Sequence, residues 1–274
     1  MSSNFFEEDV GDVFSDAIRG GSEPVYLVNP PLGTLPELVF RLHEAGDLPR
    51  IDMLAVRDDL KAAMADFIVA GHAADLVEEG TLSIRLLGTA PAASLVVSES
   101  AVVSVVVGDD SAGGLTTEDD SFVDDVRGHY ETAWEDAEPY TLRTPALERV
   151  RETLVSEFGE GALADFEGIL DALTVAKGEG EGLDEVTISV LVAAKNGELL
   201  YDISKWGEDI GLASKATFSR TKSKLEDADL IRTEKVPIDV GRPRLRLRLN
   251  EERFPDDDPE TLAERTQELL PSPE

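Results

Sequence analysis

"SKATFSRTKSKLEDADLIRTEKVPIDVGRPRLRLRLN", residues 214–250, sets a cationic helical segment beside a strand with an arginine at every second position. Ser214 is a residue type that caps helix N-termini. Phe218, Leu225 and Ala228 recur at helical spacing on one side of a segment running to about Asp229. Lys215, Thr217, Arg220, Lys222 and Lys224 fall on or beside the other side. Leu230–Val236 reads as a strand, and a turn through Pro237 and Gly241–Arg242–Pro243 returns the chain. On the way back Arg242, Arg244, Arg246 and Arg248 alternate with Pro243, Leu245 and Leu247. A period of two places the leucines on one face and the arginines on the other. Four cations are therefore expected to point outward.

Upstream, "LDEVTISVLVAAKNG" (183–197) has an acidic start and a glycine stop, the marks of a helix. "DISKWGEDIG" (202–211) reads as a short helix that turns Ile203, Trp206 and Ile210 inward and closes at Gly211. Trp206 is expected in the core, since aromatics at inward helical spacing pack. The order helix, short helix, turn, basic helix and hairpin over 183–250 resembles a winged helix-turn-helix. That resemblance implies double-stranded DNA as the partner. Free N–H groups at the start of the basic helix suit a phosphate, and its first turns suit base edges in the major groove. Ser214, Lys215, Thr217, Arg220, Lys222 and Lys224 are the expected contacts there. Arg242 is expected at the wing tip in a minor groove, with Arg244, Arg246 and Arg248 along the backbone. The competing reading of the stripe is a hairpin edge protected by charge.

This basic island stands in an acidic chain of 274 residues with net charge −32. Residues 183–250 hold 12 basic and 11 acidic residues, and 212–249 hold 10 and 5. The acidity elsewhere is dispersed, and the 8 lysines are outnumbered by 17 arginines. Such a surface stays hydrated while salt screens its repulsion, so a halophilic origin is expected. Zero cysteines are read as excluding a disulfide framework and the usual structural zinc sites. His43, His72 and His129 show no metal-ligand spacing and read as packing or surface residues; no metal and no cofactor is expected. "MSSNFFEEDVGDVF" is too acidic for a signal peptide. "ASLVVSESAVVSVVVG" is cut by Glu99 and serines, so it reads as two strands rather than a membrane span. A cytoplasmic protein is expected.

The first half alternates strands and helices: "PVYLV" (24–28), "LPELVFRLHEAG", "IDMLAV" (51–56) and "RDDLKAAMADFIVAG". That order argues for a parallel α/β unit. "LSIRLLG" (82–88), "SLVVSES" (94–100) and "AVVSVVVG" (101–108) add strands, the last two as a hairpin. "TTEDDSFVDDVRGHYETAWEDAEP" reads as an amphipathic helix capped by Thr117 and ended near Pro139, with Phe122, Val126, Tyr130, Trp134 or their neighbours inward. Two further helices lie in 145–176, with Pro145 at a first helical position. Their stripes Leu147, Val150, Leu154 and Leu163, Phe166, Leu170 go beyond one domain's needs, so they are expected to join two copies across a C2 axis. "KGEGEG" (177–182) reads as a linker; its glycines do not make a phosphate loop, because no strand precedes them and acidic neighbours repel phosphate.

"VYLVNPP", "IDMLAV", "LSIRLLGTAPAASLVVSESAVVSVVVGDD" and "SFVDDVRGHYETAWEDAEPY" resemble the phospholipase D-like effector domains of archaeal TrmB-type regulators. The whole chain is similar to haloarchaeal TbsP-type transcriptional regulators. The expected fold class is α/β, with a phospholipase D-like domain at 1–140, a helical connector at 141–182, a winged helix-turn-helix at 183–250 and an acidic tail at 251–274. Phospholipase D chemistry needs His-x-Lys, but Ala45, Ala74 and Glu131 stand two places after the three histidines. The resemblance thus implies a sensor or scaffold that lacks catalytic residues, acting as a homodimer on promoters of metabolic genes. A small metabolite would bind in the crevice beyond the parallel strands, near Asn29, Arg57, Asp58, Gly88 and Thr89. Two other readings stay open. One is a structural adaptor whose winged domain contacts protein; the other is an unrecognised enzyme with a DNA-binding module.

Overall fold

The apolar runs of the first half become the strands of one sheet. In the computed structural model, residues 4–7, 10–19, 24–46, 48–108, 111–175, 183–239, 241–254 and 258–270 are described. Segment 177–182, expected as a linker, lies outside them. The chain forms two compact units, Met1–Ala146 and Leu147–Glu274. No described helix is long and apolar enough to cross a membrane.

The first unit runs β1 (Phe5–Glu7), α1 (Val10–Arg19), β2 (Val25–Val28), a 3-10 turn, α2 (Leu35–Glu44), β3 (Ile51–Val56), α3 (Arg57–Ala63), α4 (Phe67–Glu78), β4 (Leu82–Leu87), β5 (Ser94–Val97), β6 (Val102–Val107), β7 (Ala112–Thr117), α5 (Asp120–Asp136) and β8 (Glu138–Pro139). The sheet order is β1-β7-β6-β5-β2-β3-β4-β8. β2, β3 and β4 are parallel, as the strand–helix alternation requires, and every other pairing is antiparallel. One core gathers Val13, Phe14, Leu38, Leu42, Met53 and Leu76, from strands and helices alike. The second joins Tyr26, Val28, Leu54 and Val97 to Val123, Tyr130 and Trp134 of α5. Arg85 fixes that helix: its guanidinium carbon lies 4.7 Å from the Trp134 ring centroid, and it donates to the Trp134 carbonyl at 2.6 Å.

The cap of α5 is Asp119, whose carboxylate accepts from the Phe122 N–H, and not Thr117. Thr117 is still the last residue of β7, in register with Val102, so the helix begins only beyond it. Phe122 is exposed, and the inward stripe begins at its neighbour Val123.

The second unit runs α6 (Leu147–Phe158), α7 (Glu160–Val175), α8 (Glu185–Asn196), α9 (Leu200–Asp209), α10 (Lys215–Asp227), β9 (Ile231–Val236), β10 (Arg244–Leu249) and α11 (Pro259–Leu269). Pro145 lies two residues ahead of α6 rather than at its first position. The two units meet between Ala146 and Leu147, and the second holds the residues read as connector, winged part and tail. Leu147, Val150, Leu154, Phe166 and Leu170 are buried inside one chain, against the expectation that these stripes wait for a second copy. Burying each such side chain contributes about 1.5–3 kcal/mol, which the single chain already realises. Trp206 is buried as expected and donates its Nε1–H to Thr153 of α6 at 3.0 Å. The tail forms α11, capped by Asp258, and buries Leu262 and Ala263. It approaches α7 so closely that a Cβ on Gly168 would stand 2.7 Å from the Pro259 ring.

Candidate nucleic-acid interface

Local chemistry sets the three helices of this site. Asp184 caps α8 by accepting from the Thr187 N–H, and Gly197 ends it at φ 69°. Gly211, at φ 82°, turns the chain between α9 and α10. Gly207 sets their separation: a Cβ there would meet the Phe218 ring at 2.4 Å. Ser214 caps α10 as expected, its hydroxyl accepting from the Thr217 N–H at 3.2 Å.

Phe218, Thr221 and Leu225 bury one side of α10 and leave Lys215, Ala216, Ser219, Arg220, Ser223 and Lys224 exposed. Arg220 donates to the Thr217 hydroxyl at 3.3 Å, which steadies both at the start of the helix. Lys215 Nζ lies 2.6 Å from Glu208 on α9. The hydrogen bond between them holds the Glu208 carboxyl below its ordinary value and raises the Lys215 ammonium. Lys222 departs from the expected outward row. Its side chain is 13 % exposed and its ammonium sits 2.5 Å from Glu226, which also accepts from Thr233 of β9. That lysine ties the helix to the hairpin.

The arginine stripe divides. β10 pairs with β9 on one edge, while on the other Leu247 N donates to Glu198 O and Leu199 forms a bridge with Arg246. The start of α9 therefore walls the arginine face, and the expectation of four outward cations needs correcting. Arg244 holds its guanidinium carbon 4.1 Å from the Tyr201 ring centroid and reaches Asp202 at 3.2 Å. Arg246 is half-buried, and its Nε is buried without a hydrogen-bond partner among the described residues. Arg248 lies 3.4 Å from Glu234 and covers Gly197. Arg242 alone of the four is fully at the tip: exposed, with no ion pair to a described residue. The leucine face behaves as read, with Leu247 fully buried. Asn250, not singled out in the sequence, is buried and donates its Nδ2–H to the Asp229 carbonyl at 2.8 Å, anchoring the hairpin.

A groove of about 450 Å³ runs between α9, the start of α10 and the wing. Tyr201, Ser204, Lys215, Arg242, Pro243 and Arg244 line it. Tyr201 carries no local signal of this role, because only the return of the wing brings Arg244 onto it. Arg232 and Lys235 of β9 add exposed cations that the stripe drew attention away from.

In the first unit, of the five residues expected to bind a metabolite, Asn29 follows β2, Gly88 and Thr89 follow β4, and Arg57 and Asp58 open α3 directly after β3. Asn29 adopts φ 50°, and its carbonyl accepts from Ser94 Oγ at 2.6 Å. Arg57 turns to Glu138 at 2.8 Å, while Asp58, Gly88 and Thr89 are exposed. The structure also brings together what sequence spacing kept apart: His43 and His72, with ring centroids at 4.1 Å, beside Asp75. A metal was not expected of these histidines, yet this trio offers three ligand atoms within 4.8 Å of one another.

Comparison with known proteins adds the family. No curated protein matches. Among solved structures, the archaeal chromatin protein TrmBL2, described as showing a novel mode of DNA binding, is 13 % identical over 50 % of this chain, with a TM-score of 0.35. This chain covers 54 % of that protein's length. NucT from Helicobacter pylori is 10 % identical over 51 % of the chain and all of its own length, at 0.37. Nuc of Salmonella typhimurium, a phospholipase D family member, is 11 % identical over 51 % of the chain and 99 % of its own, at 0.34. The family models reach further, and their junction coincides with that of the two compact units. Residues 2–145 match the N-terminal model of the TbsP-like transcriptional regulators, and 146–267 match their C-terminal HTH domain. The chain thus belongs to the TbsP-like family of transcriptional regulators.

Proposed function

We propose that the chain binds promoter DNA sequence-specifically in a halophilic archaeon and regulates metabolic genes there. The observation that carries this reading is the start of α10, where Lys215 and Arg220 face solvent with half-buried Thr217 between them, beside a groove that Arg242 closes from the wing. Helix and wing tip then engage a major groove and the adjoining minor groove. Dispersed acidity and scarce lysine support the salt-rich setting.

We infer a homodimer, since one recognition helix reads too few base pairs for an operator. The apolar surface that supports this lies in the first unit, not in α6 and α7. Register places Phe6, Val106 and Leu115 on one sheet face, and they are 73 %, 51 % and 48 % exposed. The strand ends at Asn29, Arg57, Asp58, Gly88 and Thr89 are the proposed entry for a metabolite.

The test is selection of genomic fragments by the full chain at molar KCl, with Arg220→Ala beside it. A recurring two-fold motif that the variant fails to enrich is the expected result. Retention of no fragments by either protein would favour the adaptor, and equal retention of fragments with no common sequence would mean DNA binding without sequence preference.

A further inference from the structure

His43 closes α2, and His72 and Asp75 stand one turn apart on α4, so both members of the second pair share a helix face. His43 Nε2 is 3.3 Å and His72 Nδ1 3.6 Å from the same Asp75 oxygen. His72 Nδ1 is buried and makes no hydrogen bond with a described residue, although it lies 3.6 Å from that oxygen. Two donors held at bonding distance by one tetrahedral ion lie about 3.3 Å apart. The Asp75 oxygen stands near that spacing from both histidines, too long for a good hydrogen bond to His72, and all three ligand atoms lie within 4.8 Å of one another, within reach of a shared ion. Its surroundings are apolar and fixed. The Phe40 ring stands 5.3 Å from that of His72, and Val39, Val69 and Ala73 pack the two helices together. His43 is 31 % exposed, which leaves a path for an ion and room for a further ligand from solvent.

We propose that His43 Nε2, His72 Nδ1 and Asp75 Oδ2 bind a divalent transition-metal ion of the zinc class, clamping α2 to α4. Two imidazole nitrogens and one carboxylate oxygen, without sulfur, select such an ion over magnesium or calcium, which take all-oxygen shells. None of the three residues belongs to the set assigned to DNA or to the metabolite.

The test uses the full chain, stripped by a chelator and held in molar KCl with excess Mg2+, which occupies the many surface carboxylates. Zn2+ is titrated by calorimetry, and Co2+ serves as an absorbing probe that Zn2+ displaces. The expected result is one tight equivalent per chain and a Zn2+-dependent rise in Tm. His72→Gln and Asp75→Asn should each weaken binding by ~10-fold or more. His43→Gln, at a partly exposed position, should keep the metal-free Tm and lose the rise. Equal Zn2+ binding by wild type and His43→Gln, or no binding in the presence of Mg2+, would overturn the proposal and leave a proton-bridged cluster.

Discussion

Arg244 and Tyr201 stack across the seam between the wing and α9, with the guanidinium carbon 4.1 Å from the ring centroid and Asp202 closing the other side. Stacking needs a planar cation, which an ammonium does not supply. Arg244→Lys should therefore lower stability by about 0.5–1 kcal/mol, whereas Arg242→Lys at the exposed tip should leave it unchanged. Replacing all four stripe arginines by lysine conserves charge and should abolish most operator affinity at molar KCl. Counterion release contributes little at that salt, so geometry rather than charge must hold the wing on DNA. Full binding by the lysine variant would refute this, and wing melting by hydrogen exchange separates the two effects.

Arg220→Ala should weaken binding to the operator by about 1–3 kcal/mol and relax preference at one position, because a bidentate base contact would be lost. Equal loss on operator and random DNA would make Arg220 a phosphate contact only.

Gly207→Ala places a methyl where the Phe218 ring now lies, at 2.4 Å. α9 and α10 must move apart, at a cost of about 1–3 kcal/mol. Thermal melts should show the loss, with DNA affinity falling in parallel.

Lys222 and Lys224 sit two residues apart and should behave differently. Burial alone would raise the Glu226 carboxyl, but hydrogen bonds from Lys222 and Thr233 outweigh it and hold the group below its ordinary value near 4.5. A depressed folded value gives stability that is present above that ordinary value and lost as pH falls through the folded one. Lys222→Met should thus be less stable than wild type at neutral pH by about 0.5–1 kcal/mol. The gap should close as the solution is acidified below about 4.5. Lys224→Ala should keep stability and reduce the salt slope of binding by about 1.

Val106→Glu with Leu115→Glu should yield a monomer by light scattering at molar KCl if the proposed dimer uses that sheet face. A dimer that survives both changes would move the interface elsewhere.

What the sequence disclosed was local. Asp184, Ser214, Gly197 and Gly211 announce helix ends because caps and turns act on their own neighbours. The parallel strands announce themselves as β-branched and leucine-rich runs. β1 and β7 do not: Phe5–Glu7 is only three residues, and "AGGLTT" holds two glycines that read as loop. Gly114 belongs there because the Phe5 ring covers its backbone, 2.4 Å from where a Cβ would stand. Amphipathicity in 145–176 was real, yet a stripe does not say whether its own chain or another covers it. The outward order of the wing arginines failed for a related reason. Alternation fixes a face, while the wall of that face comes from Leu199 and Tyr201, far back in sequence. His43, His72 and Asp75 meet only because α2 and α4 pack side by side.

Among the described residues, the eight-stranded sheet ends at β1, three residues long, and at β8, two residues long with Pro139 as one of them. A sheet edge invites pairing with another molecule unless it is short, charged, covered or interrupted by proline. Charge loses that protective power as salt rises, since screening shortens its reach to about 3 Å at 1 M. Brevity and a missing N–H do not depend on salt at all. The two rims of this sheet are closed to strand-by-strand aggregation by shape, a safeguard that persists in brine where mutual repulsion between acidic surfaces has faded.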